Sequence, residues 1–247
     1  MPDTRPTLAE DFRRLLTRVR ARGPGEVSAL AASRIREAVW SRNCLIFFAR
    51  EAQNQPPRTD ARWHDLVLVH CGSEHAHRYA KDIGTDSAGT FTKRLSDHTH
   101  CFAVERHGRL VHATWFTTCA VWTREIRAYV RPPAGEGYIY ESFTRPDARG
   151  RGIYPFALEA ISAYVGERGV KRLWVAAEED NHSSIRAISK GGFERQFAIG
   201  YRRAFGRLTF QGPAGAVPKD HDFFTPHPPA AEECSASWAA EHGMSRS

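Results

Sequence analysis

The chain has 247 residues, of which 41% are hydrophobic, and this allows one substantial domain with appendages. Its formal net charge of +7 favours anionic partners, such as nucleic acid, anionic lipid or a phosphorylated small molecule. The basic residues are spread along the chain without a Lys-rich tail, so nucleic acid is not specifically indicated and we expect no nucleic-acid partner. No stretch approaches the ~18 apolar residues of a membrane span, so we expect none.

The cysteines indicate the redox environment. They form neither a Cys-x-x-Cys motif nor a paired framework, and they lie at Cys44, Cys71, Cys101, Cys119 and Cys234. An odd number at wide spacing is typical of reduced thiols in a cytosolic protein, and the N-terminus has no apolar signal core. We therefore expect a cytoplasmic protein with reduced cysteines. Cys119 would be a candidate nucleophile only if histidine and acidic groups converged on it.

Residues 1–58 are expected to form a helical extension followed by a short strand. Thr7-Leu8-Ala9-Glu10 is a capping box at the start of an amphipathic helix, which Gly23-Pro24-Gly25 ends. A basic helix of this kind can lie on an anionic membrane, but more often it packs its apolar stripe on a neighbouring domain. Residues 44–49 then indicate a short buried strand.

Residues 59–210 are expected to form one domain, a mixed sheet with helices on its faces. Its strands have β-branched and aromatic runs, and we expect them at 66–69, 101–104, 110–122, 138–144, 172–177 and 193–205. Its helices have apolar residues at helical spacing, and we expect them at 75–95 (broken near Gly84 and Gly89), 154–168 and 181–190. Residues 211–247 are rich in Pro, Ala and Glu without periodicity, which predicts a disordered tail.

The segment 145–154, Arg-Pro-Asp-Ala-Arg-Gly-Arg-Gly-Ile-Tyr, is expected to connect a strand to a helix. Such a turn leaves backbone N–H groups unpaired at the helix N-terminus, where the helix dipole also favours an anion. Gly150 and Gly152 have no Cβ, so a phosphate or pyrophosphate can approach the backbone closely, and Arg149 and Arg151 add positive charge. The pattern is neither a P-loop nor a dinucleotide-binding motif, and a solvated turn would look the same.

Two motifs together resemble the GNAT superfamily of acyl-CoA-dependent N-acyltransferases. Arg149-Gly150-Arg151-Gly152-Ile153-Tyr154 matches the family's signature Arg/Gln-x-x-Gly-x-Gly/Ala, which follows a strand. Downstream, Asn181, Ser184 and Gly192-Phe193 match a second pattern at the next strand-to-helix junction. Two such motifs in the right order are far more specific than either alone. The resemblance covers about residues 60–208.

The resemblance implies an α/β (α+β) fold with a mixed, mostly antiparallel sheet, whose central parallel strands splay apart, flanked by helices. It implies acetyl-CoA, or another acyl-CoA, as co-substrate and no metal. The backbone from Arg149 to Tyr154 would bind the pyrophosphate. The pantetheine arm would enter the gap between strands 138–144 and 172–177, with the main chain of Phe143 and Thr144 on one wall and Asn181 and Ser184 on the other.

The function implied is that of an N-acetyltransferase, in which a primary amine attacks the acetyl-CoA thioester directly. Because direct transfer needs no cysteine nucleophile, the resemblance implies that Cys119 is a buried thiol. Transfer of a longer acyl or an aminoacyl group stays open, as does a catalytically silent acyl-CoA-binding or regulatory module. Acceptor pockets in this fold correspond to residues 72–100 and 123–137, whose polar, His- and Arg-containing character points to an acidic or sugar-like acceptor. We expect a small amine, such as an amino sugar or amino acid.

Two positions depart from the family pattern. Tyr154 stands where the family has Gly or Ala, so its side chain must pack outward or line the adenine side. Ile188 stands where many members have a tyrosine that protonates the leaving thiolate.

The acceptor amine must lose a proton before it attacks, so a base or a water relay is expected. We predict Glu141, on the strand before the glycine turn, as the base. The alternative is a strand carboxylate paired with an arginine. His98 and His100 have the spacing of two metal ligands, but without a second pair we expect no metal, and His100 is a further candidate for a relay base.

Overall fold

The computed structural model describes residues 40–53, 60–204, 207–215 and 223–225. The helices expected in the N-terminal extension and most of the expected disordered tail lie outside these ranges. Within them, none of the helices has the length and apolar character that a membrane crossing requires.

The architecture is built on an eight-stranded sheet in the order β10-β9-β1-β8-β7-β4-β3-β2. Its strands are β1 (Trp40–Glu51), β2 (Leu66–Cys71), β3 (Thr99–Arg106), β4 (Arg109–Thr117), β7 (Glu136–Thr144), β8 (Arg172–Glu178), β9 (Glu194–Ala204) and β10 (Arg207–Gly215). A small second sheet consists of β5 (Val121–Thr123), β6 (Ala128–Val130) and β11 (Phe224–Thr225). Every neighbouring pair is antiparallel except β7 and β8, which are parallel.

Four α-helices occur in the described residues: α1 (Ala76–Asp82), α2 (Ala88–Arg94), α3 (Ile153–Gly166) and α4 (His182–Lys190). Short 3-10 helices lie at Ala61–Trp63, Ser73–His75 and Pro146–Ala148. The connection from β7 through α3 to β8 supplies the long crossover that parallel strands need. Asn181 caps α4 by accepting a hydrogen bond from the Ser184 N–H, in the way that Asn favours helix starts.

The two faces of the large sheet are covered by different elements. Alternate strand residues separate the cores, so that Phe48 and Phe102 pack with α3 and α4, while Phe47 packs beside the small sheet. Tyr79 of α1 and Phe91 of α2 pack on Trp115, which places these two helices on the face opposite α3. The expected mixed, mostly antiparallel sheet flanked by helices is confirmed.

The N-terminal boundary of the domain differs from the prediction. The strand expected at 44–49 is a 12-residue strand, and it lies inside the large sheet between β8 and β9. A domain that began at residue 59 would therefore lack one of its inner strands. Apolar periodicity identifies a buried strand but not its neighbours, which are set by pairing far along the chain.

Three local predictions are also wrong. The strand expected over 110–122 ends at Thr117, and residues 121–123 belong to the small sheet instead. Gly89 lies inside α2, and the break between the first two helices falls at Gly84, whose φ of +70° suits glycine. Residues 211–215 continue β10, and Phe223 is buried against Phe47 and Phe197, because an aromatic cluster can order a segment whose average composition is polar.

The cysteines do not all behave as expected. Cys44, Cys71 and Cys101 are free thiols, whereas Cys119, buried just beyond β4, is disulfide-bonded. The expected buried thiol at Cys119 is therefore wrong. A disulfide requires Cα atoms within ~7 Å, and spacing along the chain does not reveal that proximity.

Candidate active site

A gap opens in the middle of the large sheet. The parallel strands β7 and β8 pair only from Glu136 opposite Arg172 to Ile139 opposite Val175. Beyond this point β7 continues to Thr144 along β4, and β8 continues to Glu178 along β1. The facing main-chain edges of residues 140–144 and 176–178 therefore lie outside any strand pairing and can bind an extended ligand.

A β-bulge lies where the gap begins. Tyr140 pairs with Trp115 and Phe143 with Ala113, so Glu141 and Ser142 together lie opposite one residue of β4. Glu141 has a φ of 48°, a left-handed conformation that costs a non-glycine residue about 1–2 kcal/mol. A bulge bends its strand and re-aims its side chains, which accounts for the departure of β7 from β8 at this position.

The glycine turn follows β7 after the short 3-10 helix Pro146–Ala148. Gly150 and Gly152 have φ values of 78° and 74°, and Gly152 is the N-cap residue of α3 without a side-chain cap. Among the described residues, no protein group accepts a hydrogen bond from the backbone N–H groups of Gly150, Arg151 or Gly152. The Arg149 guanidinium Nε donates to the Thr144 carbonyl at 3.2 Å and joins the turn to the strand. These N–H groups are available to an anion.

Trp63 lies against this turn and was not recognised from the sequence. A Cβ on Gly152 would lie 3.1 Å from the Trp63 indole nitrogen, so only glycine fits without displacement. That nitrogen is buried without a hydrogen-bond partner in the described residues, and the indole ring packs on Phe156 of α3. No motif marks Trp63, because its contact with Gly152 arises from packing between residues 89 positions apart in the chain.

Tyr154, the residue that departs from the family pattern, points inward. Its ring stacks on the His112 ring of β4, with centroids 5.2 Å apart, and packs against the core under α3. Burial raises the pKa of Tyr154 to about 12, with a smaller opposing effect from Ser142. The expectation that this side chain packs outward or lines the adenine side is therefore wrong.

His112 is fully buried beneath Tyr154. Its Nδ1 lies 2.8 Å from the Thr144 hydroxyl, and its Nε2 has no hydrogen-bond partner in the described part of the chain. Burial lowers the pKa of His112 to about 3, so this imidazole is neutral at physiological pH. Sequence reasoning overlooked His112 because a lone histidine in a strand carries no motif.

Asn181 and Ser184 lie on the other side of the gap, after β8. The Asn181 Oδ1 accepts hydrogen bonds from the Ser184 N–H at 3.2 Å and from the Ser183 hydroxyl at 3.0 Å. The oxygen of this side chain is therefore used by the start of α4. Its NH₂ group, on an exposed residue, donates to no described residue and is available to a ligand.

Glu141 forms an ion pair. Its carboxylate lies 2.8 Å from the Arg94 guanidinium at the end of α2, and that guanidinium also lies 2.7 Å from the buried Asp86 carboxylate. Burial alone would lower the pKa of Arg94, but Glu141, Tyr140 and Asp86 raise it well above its ordinary value. Glu141 is therefore paired with an arginine, as the alternative interpretation expected. Its role as a base stays a prediction.

Ile188 and His100 take structural positions. Ile188 is fully buried in the core between α4 and the sheet, so no proton donor stands at this place in the helix. The His100 ring lies 3.2 Å from the His70 ring between nitrogen atoms, and burial, followed by the effect of His70, lowers the pKa of His100 to about 4. His70 in turn contacts Tyr164 of α3. The described residues contain no cluster of three or more potential metal ligands.

Known proteins resemble the part of the chain that contains this site. A sequence model of the acetyltransferase (GNAT) family matches residues 68–193, just over half of the chain. This span contains the glycine turn, the bulge and Asn181. No curated protein matches the chain.

Solved structures match at low identity. An X-ray structure of a Drosophila protein is 12% identical, with 74% of this chain and 58% of that chain covered and a TM-score of 0.44. An acetyltransferase of the GNAT family from Colwellia psychrerythraea is 14% identical, with 82% and 74% covered and a TM-score of 0.44. A GCN5-related N-acetyltransferase from Sphaerobacter thermophilus is 17% identical, with 70% and 55% covered and a TM-score of 0.46. The chain thus spans less than two thirds of the length of the Drosophila and Sphaerobacter proteins.

Proposed function

This chain belongs to the acetyltransferase (GNAT) family, and on that premise we propose that it transfers an acetyl group from acetyl-CoA to the primary amine of a small acceptor. One observation carries the proposal. The parallel strands β7 and β8 part after Ile139 and Val175, and the open glycine turn comes one short 3-10 helix after the parted end of β7. A long ligand with a diphosphate at one end fits this arrangement.

The co-substrate would bind along β7. The N–H groups of Gly150, Arg151 and Gly152, with those of Ile153 and Tyr154 at the helix start, would hold the pyrophosphate, assisted by the positive charges of Arg149 and Arg151. The pantetheine amides would pair with the main chain at Phe143 and Thr144, as an added strand pairs with an open sheet edge. Across the gap, the Asn181 NH₂ group and Ser184 would complete the site.

The reaction is direct acyl transfer. The acceptor nitrogen forms a bond to the thioester carbonyl carbon, the C–S bond breaks, and CoA leaves as a thiolate that takes up a proton. Glu141 would accept the proton from the amine, directly or through a water molecule. A backbone N–H on the open edge of β7 would stabilise the oxyanion, and much of the rate would come from holding the two reactants together.

The acceptor is expected on the face of the sheet that carries α1 and α2. Glu141, Asp86 and Arg94 lie on that side and together carry one net negative charge, which favours an approaching ammonium ion. We propose a small amine, such as an amino sugar or amino acid, bound between segments 72–100 and 123–137.

Ligand-induced stabilisation tests the co-substrate. Saturating acetyl-CoA or CoA should raise the unfolding temperature, because binding at 100 times Kd stabilises a protein by about 2.7 kcal/mol. NADPH, which also carries a diphosphate, is the matched control and should leave the temperature unchanged. If neither CoA nor acetyl-CoA shifts the unfolding temperature, the proposal is wrong.

Thiol release tests the reaction. Acetyl-CoA is mixed with amino sugars, polyamines, amino acids and peptides, and free CoA is measured with a thiol reagent; butyryl-CoA in a parallel series tests for a longer acyl group. Amine-dependent thiol release supports the acetyltransferase. Binding without release across the panel favours a silent acyl-CoA-binding module, for which the buried Ile188 at the usual place of the proton donor is the supporting observation.

A further inference from the structure

The guanidinium of Arg94 has its charge balanced without Glu141. Asp86, only 3% exposed, lies 2.7 Å away and just before α2, where it forms a buried ion pair with Arg94. A buried cation requires a partner of this kind, and a single carboxylate meets the requirement. The additional pairing with Glu141 is therefore not needed to keep Arg94 in place.

Packing fixes the guanidinium independently. Its central carbon lies 3.9 Å from the centre of the Trp115 ring, and its side chain is 15% exposed. Trp115 is itself buried and belongs to β4, the strand that pairs with β7 around the bulge. A cation stacked on a buried indole and bonded to a buried carboxylate has one orientation.

Glu141 does not need the pairing either. Its side chain is 47% exposed, so water can solvate the carboxylate, and ion pairs at such exposure stabilise a fold little. Its main chain, however, is held at a left-handed φ of 48° in the bulge. The backbone conformation thus fixes the position of the Glu141 Cβ. The ion pair with the fixed Arg94 guanidinium fixes the position of the Glu141 carboxylate.

We infer that Arg94 is a positioning residue for acyl transfer, which holds the Glu141 carboxylate at the point where β7 parts from β8. The inference rests on the proposed function, in which Glu141 accepts the proton of the amine. Each carboxylate oxygen has two lone pairs, so a bond to Arg94 leaves capacity to accept a proton from a substrate. A planar guanidinium with several donors can serve Asp86 and Glu141 together, which a lysine cannot do in the same geometry.

The other titratable groups around Arg94 stay neutral in the working range of pH. Burial raises the pKa of Tyr140 to about 12, and burial also raises the pKa of Tyr79 and of the Cys101 thiol. The charged side chains paired with Arg94 are the carboxylates of Asp86 and Glu141. Carbon-13 labelling of glutamate side chains makes Glu141 visible without interference from Asp86.

The first experiment follows the Glu141 carboxyl by ¹³C NMR through a pH titration of the apoprotein, with its signal assigned from Glu141→Gln. Removing a cation 2.8 Å away should move the titration midpoint upward by about one pH unit in Arg94→Met. Arg94→Lys keeps a positive charge, so its Glu141 midpoint should lie close to that of the wild type. Arg106→Met, which breaks a 2.6 Å ion pair with Asp65 outside the proposed site, is the matched control and should leave the midpoint unchanged.

Arg94→Met leaves Asp86 buried without its cation and can therefore unfold the protein. The double variant Asp86→Asn with Arg94→Met removes both charges and keeps the measurement possible. If the Glu141 midpoint is unchanged both in Arg94→Met and in the double variant, the inference is overturned.

The second experiment measures acetyl transfer to the fastest amine of the panel above. The double variant should lower kcat about tenfold, while KM for acetyl-CoA changes less than twofold, and the acid limb of its kcat profile should move to higher pH. Arg94→Lys keeps the charge but not the planar fork of donors, so it should lower kcat with little movement of the acid limb. Arg106→Met should have wild-type kinetics. A uniform fall in the kcat of the double variant, without movement of its acid limb, would mean a merely structural role and would overturn the inference.

The outcomes separate the two proposals. A wild-type protein that neither binds acetyl-CoA nor releases thiol overturns the proposed function and this inference with it. An active wild type, an impaired Glu141→Gln and unimpaired Arg94 variants overturn only the inference.

Discussion

Ile139 of β7 pairs with Val175 of β8, and the two strands share no register beyond this pair. Each strand continues, but along a different neighbour, β4 for β7 and β1 for β8. The bulge at Glu141 lies two residues past Ile139 and bends β7 at the point of separation. The candidate cleft is therefore a consequence of strand pairing.

Gly152→Asp is expected to abolish CoA binding. A carboxylate at this position would face the pyrophosphate, and its Cβ would lie 3.1 Å from the Trp63 indole nitrogen. Affinity measured by isothermal titration calorimetry should fall at least 100-fold.

Gly108→Asp is the matched control for that variant. Gly108 has a similar φ of +73° and lies in the β3–β4 turn with open space around its missing Cβ, so backbone strain and charge are comparable. Its CoA affinity should stay near that of the wild type. Equal affinities for CoA in the two variants would exclude the glycine turn as the pyrophosphate site.

Glu141→Gln is expected to lower kcat 10²–10⁴-fold, the usual contribution of a general base, with little change in CoA affinity. Glutamine is nearly isosteric and can adopt the same φ, so the bulge should persist. Steady-state thiol release and calorimetry check the two quantities. Glu179→Gln, at an exposed carboxylate beyond β8, is the control and should have wild-type kinetics. Wild-type kcat in Glu141→Gln would assign the proton to water.

Much of the architecture could be predicted from the sequence. The order of strands and helices follows from apolar periodicity, and the two glycine-containing junctions mark the ends of β7 and α4. The extent of β1 and its place between β8 and β9 could not be predicted, because pairing partners are decided by contacts distant in sequence. The disulfide at Cys119 escaped prediction for the same reason.

Some residues of the candidate site could likewise be predicted from the sequence, and others could not. Positions whose role depends on the backbone, Gly150 and Gly152, could be identified because only glycine suits their conformation. Positions whose role depends on packing could not: Trp63 beside the turn, His112 beneath Tyr154 and Arg94 beside Glu141 carry no motif. The sequence shows that Tyr154 departs from the family pattern. The direction of its side chain, however, is decided by the contacts of the ring with His112 and the core.

Asn181→Asp should separate the structural role of this residue from its proposed ligand contact. Aspartate retains an oxygen that accepts the Ser184 N–H, so the free energy of unfolding should change by less than about 0.5 kcal/mol. It lacks the NH₂ group, and CoA affinity should fall about tenfold. Asn181→Ala should lose both the cap, at a cost of about 1 kcal/mol, and the affinity. Urea unfolding and calorimetry measure the two effects; unchanged affinity in both variants would contradict the contact.

His112 should make the stability of the protein sensitive to acid. Burial lowers its pKa to about 3, whereas a histidine in an unfolded chain titrates near about 6.5. Between these two pH values the unfolded chain binds a proton that the folded protein does not, so the free energy of unfolding decreases as the pH falls below about 6.5. At pH 5 the loss from this residue amounts to about 2 kcal/mol relative to pH 7.5.

Urea unfolding at pH 7.5 and pH 5 of the wild type and His112→Phe measures this contribution. Phenylalanine keeps a ring against Tyr154 but does not titrate, so the variant should lose about 2 kcal/mol less than the wild type between the two pH values. Thr144→Val removes the hydrogen bond to Nδ1 and leaves the imidazole buried, so it should keep the acid sensitivity of the wild type. If His112→Phe and the wild type lose the same stability on acidification, the buried imidazole takes up a proton in the folded protein, and its packing against Tyr154 must then open to admit water.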